Sequence, residues 1–69
     1  MPIYFAEPHT SLTIVEIKGN DKVRAHLHNL GFIVGETIML VSKVDDNVIV
    51  KLKGVSLAIS NELAKRILV

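Results

Sequence analysis

Two hydrophobic rhythms divide this chain. Within residues 21–36, DKVRAHLHNLGFIVGE, the apolar residues Val23, Leu27 and Leu30 recur at i, i+4 and i+7. That spacing draws one narrow stripe along a short α-helix. Asn20 or Asp21 can cap its start, since a short side-chain oxygen there accepts from the free amides of the first turn. Gly31 stands where a helix ends, at a position that often needs a positive φ. Phe32 then falls where a large side chain folds back on the last turn near Leu27, and Gly35 marks a second tight turn.

Elsewhere the rhythm shortens to a period of two. The run LTIVEI, residues 12–17, is rich in β-branched side chains and reads as a strand. A second strand covers residues 37–44, with Ile38 and Leu40 on one face and Met39 and Val41 on the other. Residues 48–53, VIVKLK, alternate most cleanly: Val48, Val50 and Leu52 point one way, Ile49, Lys51 and Lys53 the other. Asp45, Asp46 and Asn47 form the loop between these strands, and Lys53 with Gly54 fits a two-residue hairpin turn. Val55, Leu57 and Ile59 line a fourth strand, Ser60 or Asn61 caps a single turn in NELAKR, and residues 67–69 close the chain as a short strand.

Residues 1–11 hold both prolines and no sustained period, so they read as an extended lead-in with at least one of Ile3, Tyr4 and Phe5 packed on the core. The expectation is a mainly β, single domain over residues 1–69. It is a small closed or nearly closed barrel of about five short strands, because closure removes sheet edges that invite aggregation. One short helix between the first two strands plugs an open end with Val23, Leu27 and Leu30, and a one-turn helix precedes the last strand.

Composition narrows the function classes. Half the chain is apolar (49%), enough for one small core and too much for a disordered tail. Eight basic and seven acidic residues leave a net charge of +1, which gives no electrostatic argument for a nucleic acid or a membrane surface. One Tyr and two Phe offer little for base stacking. No apolar run approaches the roughly 18 residues of a membrane span, and MPIYFAEPH lacks the charged and apolar regions of a signal peptide. With no cysteine there is no disulfide or thiolate site. A cytoplasmic location is expected.

Candidate chemistry is sparse. His26 and His28 are two apart on the helix, so they point to nearly opposite sides and cannot chelate one ion, while His9 reaches them only through the fold. No metal site is expected from them, and no cofactor. Asp45 and Asp46 lack the remaining ligands and the glycine of a calcium loop. The serines have no nucleophile-elbow context, and no phosphate-binding or dinucleotide glycine pattern occurs. No enzyme is indicated.

The central stretch has a family look. KVRAHLHNLGFIVGETIMLV resembles the hallmark of the FeoA family, the small cytosolic accessory proteins of bacterial ferrous-iron uptake. That pattern is a basic-rich helix, Leu-Gly-Phe or Leu-Gly-Leu, any residue, Pro-Gly, then a strand. Leu30, Gly31 and Phe32 match it, as does Gly35. The ending LKGVSLAISNELAKRILV is similar to the family's glycine turn, apolar strand, Glu-Leu-Ala turn and final Ile-x-Val, here Gly54, residues 57–59, residues 62–64, and Ile67 with Val69. Two departures stand out: Val34 replaces the usual proline, and PIYFAEPHTS replaces the usual Leu-rich opening.

The resemblance implies an SH3-like domain and a non-catalytic adaptor. Its implied partner is the cytosolic, GTPase-bearing region of a FeoB-type iron permease, without direct membrane insertion; weak self-association is compatible with it. Alternatives of other classes are a stand-alone regulatory domain like the C-terminal domain of iron-dependent repressors, and a small nucleic-acid-binding barrel. The residues proposed to dock the partner are Arg24 and His28, which share a helix face at i and i+4, with Ile33, Val34 and Ile49. The last three are apolar side chains on a turn or an outer sheet face, where several together mark an interaction site.

Overall fold

The period-two runs become a four-stranded antiparallel sheet in the computed structural model, which describes residues 1–69. Strand β1 is Ser11–Thr13, β3 is Thr37–Val44, β4 is Asn47–Leu52 and β5 is Val55–Ser60, in the spatial order β1-β3-β4-β5. Lys53 and Gly54 both take positive φ (52° and 79°) in the β4–β5 turn, the conformation that matches the right-handed twist of a tight hairpin. Asp45 takes a positive φ of 54° in the β3–β4 turn, which an aspartate tolerates better than most side chains.

The run at residues 12–17 does not form one strand. It breaks at Ile14 and Val15, and the chain passes from one sheet to another. Ile14 donates to the Glu36 carbonyl at 2.9 Å and accepts from the Gly35 N–H at 2.8 Å. The next N–H, that of Val15, donates instead to Leu68 at 2.8 Å. Beyond the break, β2 (Glu16–Ile17) pairs with β6 (Ile67–Leu68) in a separate two-stranded sheet. Two sheets therefore stand where the sequence led to the expectation of one closed or nearly closed barrel. For the same reason the helix α1 (Asp21–Asn29) follows the second strand rather than the first.

The ends of α1 are set by local chemistry. Asn20 Oδ1 accepts from the Val23 N–H at 2.9 Å, which caps the first turn. At the other end the Gly31 N–H donates to His28 and the Phe32 N–H to Leu27, at 2.9 and 3.0 Å. Those two bonds are the Schellman closure, and Gly31 supplies the positive φ (102°) it needs. A Cβ at Gly31 would also meet Leu52 Cδ2 at 3.1 Å.

All thirteen buried residues are apolar. Ile38, Leu40, Val48, Val50, Leu52 and Ile59 cover the inner face of the larger sheet; Ile14 and Ile67 come from the switch point and the smaller sheet. Leu27 and Phe32 bring in the helix and its closure, and Ala64 comes from α2 (Asn61–Ala64), which Ser60 Oγ caps through the Leu63 N–H at 3.2 Å.

Two side chains and the lead-in depart from the expected pattern. Leu30 is 41% exposed, because it occupies the C-cap just before the Gly31 turn and the helical stripe ends at Leu27. Val55, first in its strand and beside the hairpin turn, is exposed, while Leu57 is half-buried and Ile59 buried. The lead-in is not simply extended: Ile3–Phe5 form a 3-10 turn that buries Ile3 completely, and Pro2 bridges to Leu68.

Candidate functional site

The turn over residues 33–36 forms because Gly35 accepts a φ of 97° at its third position, and the Glu36 N–H closes it onto Ile33 at 3.0 Å. This is the type II pattern, in which the second position favours a proline-like φ and leaves its side chain free. Val34 holds that second position and is 58% exposed. Ile33, one residue earlier, is half-buried, so only one of the two apolar residues expected at the surface of this loop is fully presented.

The sheet switch adds a residue that strand reading hid. Val15 was expected to be part of a strand, yet it is 60% exposed. Ile14 and Gly35 are bonded backbone to backbone. Val15 and Val34 are the chain neighbours of that bonded pair, so two exposed valines flank one hydrogen-bonded junction. Exposed Leu30 ends the helix that leads into the same loop. No local signal marks Val15, because its place at the crossing follows from pairings between distant segments, Thr13 with Thr37 and Glu16 with Leu68.

The other expected docking residues are spread out. Arg24 Nη2 pairs with Asp21 Oδ1 at 2.7 Å in the first turns of α1, and its side chain is half exposed. His28 is exposed in the last turn, one helical turn on from Arg24. No side-chain hydrogen bond or ion pair ties either residue to the turn over residues 33–36. Ile49 lies mid-strand on the outer face of the larger sheet, opposite Ser42 and Ala58, and is half-buried. The same outer face carries a shallow concavity of about 230 Å³ lined by Ser11, Thr37, Met39, Lys51, Lys53 and Gly54, where Lys53 pairs with Glu36 at 3.3 Å.

No group of three or more histidine, aspartate, glutamate or cysteine side chains comes together. No buried residue is polar or charged.

The FeoA domain family model matches residues 1–69. The chain belongs to the FeoA family. That family belongs to ferrous-iron transport, and its members are small accessory proteins. No curated protein matches the sequence. Solved structures do match this FeoA chain. The crystal structure of an iron uptake regulatory protein, FeoA, shares 28% identity at a TM-score of 0.86, over 97% of this chain and 91% of that one. The Stenotrophomonas maltophilia FeoA, crystallised with zinc and described as a procaryotic SH3 domain protein, shares 26% identity at a TM-score of 0.82, over 99% and 87% of the two chains. A manganese-dependent transcriptional repressor reaches a TM-score of 0.85 over 97% of this chain and 39% of its own, at 8% identity. The last likeness is one of fold alone. The fold of this FeoA chain is thus SH3-like and mainly β, as the resemblance implied.

Proposed function

We propose that this FeoA protein is a non-catalytic, cytoplasmic accessory protein of ferrous-iron uptake. It docks on the cytosolic, GTPase-bearing region of a FeoB-type permease. Family membership supports the pathway, and the exposed Val15 and Val34 beside a hydrogen-bonded junction support a docking role. Apolar side chains on fixed backbone bind well because little conformational entropy is lost on contact. Arg24 on the adjoining helix supplies orienting charge at the rim, His28 one turn on adds a polar contact, and Ile49 on the sheet face is a second apolar contact. The S. maltophilia relative is described as a candidate activating factor of bacterial ferrous iron transport, which fits the same role.

Uptake of radioactive ferrous iron tests this reading in a bacterium that carries a FeoB-type permease and lacks its own FeoA. Expression of this chain should restore uptake, and the Val34→Asp variant should restore it poorly at equal protein level. Uptake that stays at the deletion level with the wild-type chain, expressed and folded, would refute the proposal.

The same reading makes iron the cargo of the permease and not a ligand of this protein. His26 and His28 diverge by their spacing on α1, and His9 lies before β1 with its own N–H bonded to the Leu40 carbonyl at 2.8 Å. Anaerobic calorimetric titration with ferrous iron should show no saturable micromolar site, which would need about −8 kcal/mol of binding free energy. A stoichiometric site lost on changing one histidine would contradict this.

A further inference from the structure

The opening segment PIYFAEPHTS, where this chain departs from the family pattern, builds a second surface. Its 3-10 turn is fixed at both ends: the Phe5 N–H donates to Pro2 at 3.0 Å, the Ala6 N–H to Ile3 at 3.1 Å, and Ile3 and Ala6 are both buried. Between these anchors Phe5 is held out, 61% exposed. Its ring meets that of Tyr4 edge to face, 5.0 Å between centroids and 87° between planes.

Two lysines converge on the Tyr4 ring. Lys43 Nζ lies 4.0 Å from the Tyr4 centroid and 5.9 Å from that of Phe5. Lys65 Nζ lies 4.8 Å from the Tyr4 centroid. Lys43 arrives there because of a β-bulge. The register of β3 against β4 slips between Leu40 and Ser42, which brings Lys43 opposite Val48 and so onto the core-facing side of the sheet, at its rim. An ammonium over a ring face is attracted by the ring quadrupole, so Tyr4 holds two like charges close that would otherwise separate. The protein's three ion pairs are Arg24 with Asp21, Lys53 with Glu36 and Arg66 with Glu62, so neither of these lysines is neutralised by a carboxylate.

We propose that this patch docks an acidic segment of a protein partner, with carboxylates on Lys43 and Lys65 and an apolar side chain against Phe5. The surface shares no residue with the junction of Val15 and Val34. A rigid aromatic anchor with unpaired cations beside it suits a compact acidic motif. An anionic membrane is the weaker match. Lipid surfaces are usually held by clusters of roughly four to eight basic residues, and here there are two on a chain of net charge +1.

Titration of the isotope-labelled full chain, followed by backbone amide shifts, tests this. The probes are a synthetic peptide of alternating glutamate and leucine, its glutamine counterpart, and phosphatidylserine vesicles. The acidic peptide should shift residues 3–7, Lys43, Val44 and Lys65, and the glutamine peptide should not. A double Lys43→Glu, Lys65→Glu variant should lose about tenfold in affinity. Phe5→Ser, at an exposed position, should weaken binding with the remaining spectrum unchanged. The proposal is overturned if the acidic peptide leaves these amides unmoved, if the glutamine peptide binds equally, or if the charge-reversed chain binds like the wild type. Broadening of the same amides by vesicles alone overturns it in favour of a lipid surface.

Discussion

Replacing Leu27 by alanine should lower the unfolding free energy by about 2–5 kcal/mol. Leu27 is fully buried and is the only residue of α1 that is; Val23 is half-buried against the core. Removing its side chain leaves a cavity and cuts the helix loose from the sheet, since α1 has no other anchor of that size. Small domains have only about 5–15 kcal/mol in total, and a 69-residue chain belongs at the low end. Denaturant unfolding at constant m-value would read the loss directly. Leu30→Ala, at the exposed C-cap, is the internal comparison and should cost well under half as much. A Leu27→Ala protein with an unchanged melting temperature would show that the helix is held by something other than this contact.

If the docking proposal holds, Val34→Asp should leave the fold intact and weaken binding to the permease's cytosolic region by about 1.4–2.8 kcal/mol, roughly tenfold to a hundredfold. The fold is spared because Val34 sits at the second position of a turn that Gly35 and the Ile33–Glu36 bond maintain without help from its side chain. Binding suffers because a carboxylate in the middle of an apolar contact must be desolvated without a partner. Ile33→Asp is a poorer probe, since Ile33 is half-buried and its replacement would mix stability with binding. Arg24→Glu should weaken binding less, and its effect should fade as salt screens the rim. Circular dichroism separates folding from docking in each variant.

The parts of the fold set by local chemistry were legible in the sequence. Asn20, Gly31 and Phe32 give both ends of α1 because capping and the Schellman closure involve only near neighbours in the chain. Lys53 with Gly54 gives the β4–β5 turn for the same reason. Pairings between distant segments were not legible. Nothing in LTIVEI says that Thr13 will pair with Thr37 while Glu16 pairs with Leu68, so the break at Ile14 and the separation into two sheets stayed hidden. The bulge between Leu40 and Ser42 was hidden too, and with it the path of Lys43 to Tyr4.

The candidate site shows the same division. Val34 was readable as the apolar residue of a glycine turn. Leu30 fitted the helical period but lies where the helix has already ended. Val15 owes its exposure to the sheet crossing, a feature of three-dimensional topology that no single window of sequence contains.

Calorimetric titration of the cytosolic region of a FeoB-type permease with the wild-type chain and with Val34→Asp tests the docking proposal most directly. A saturable complex with the wild type, weakened at least about tenfold in the folded Val34→Asp variant, is the predicted result. No saturable binding by the wild type, or equal binding by both chains, would contradict it.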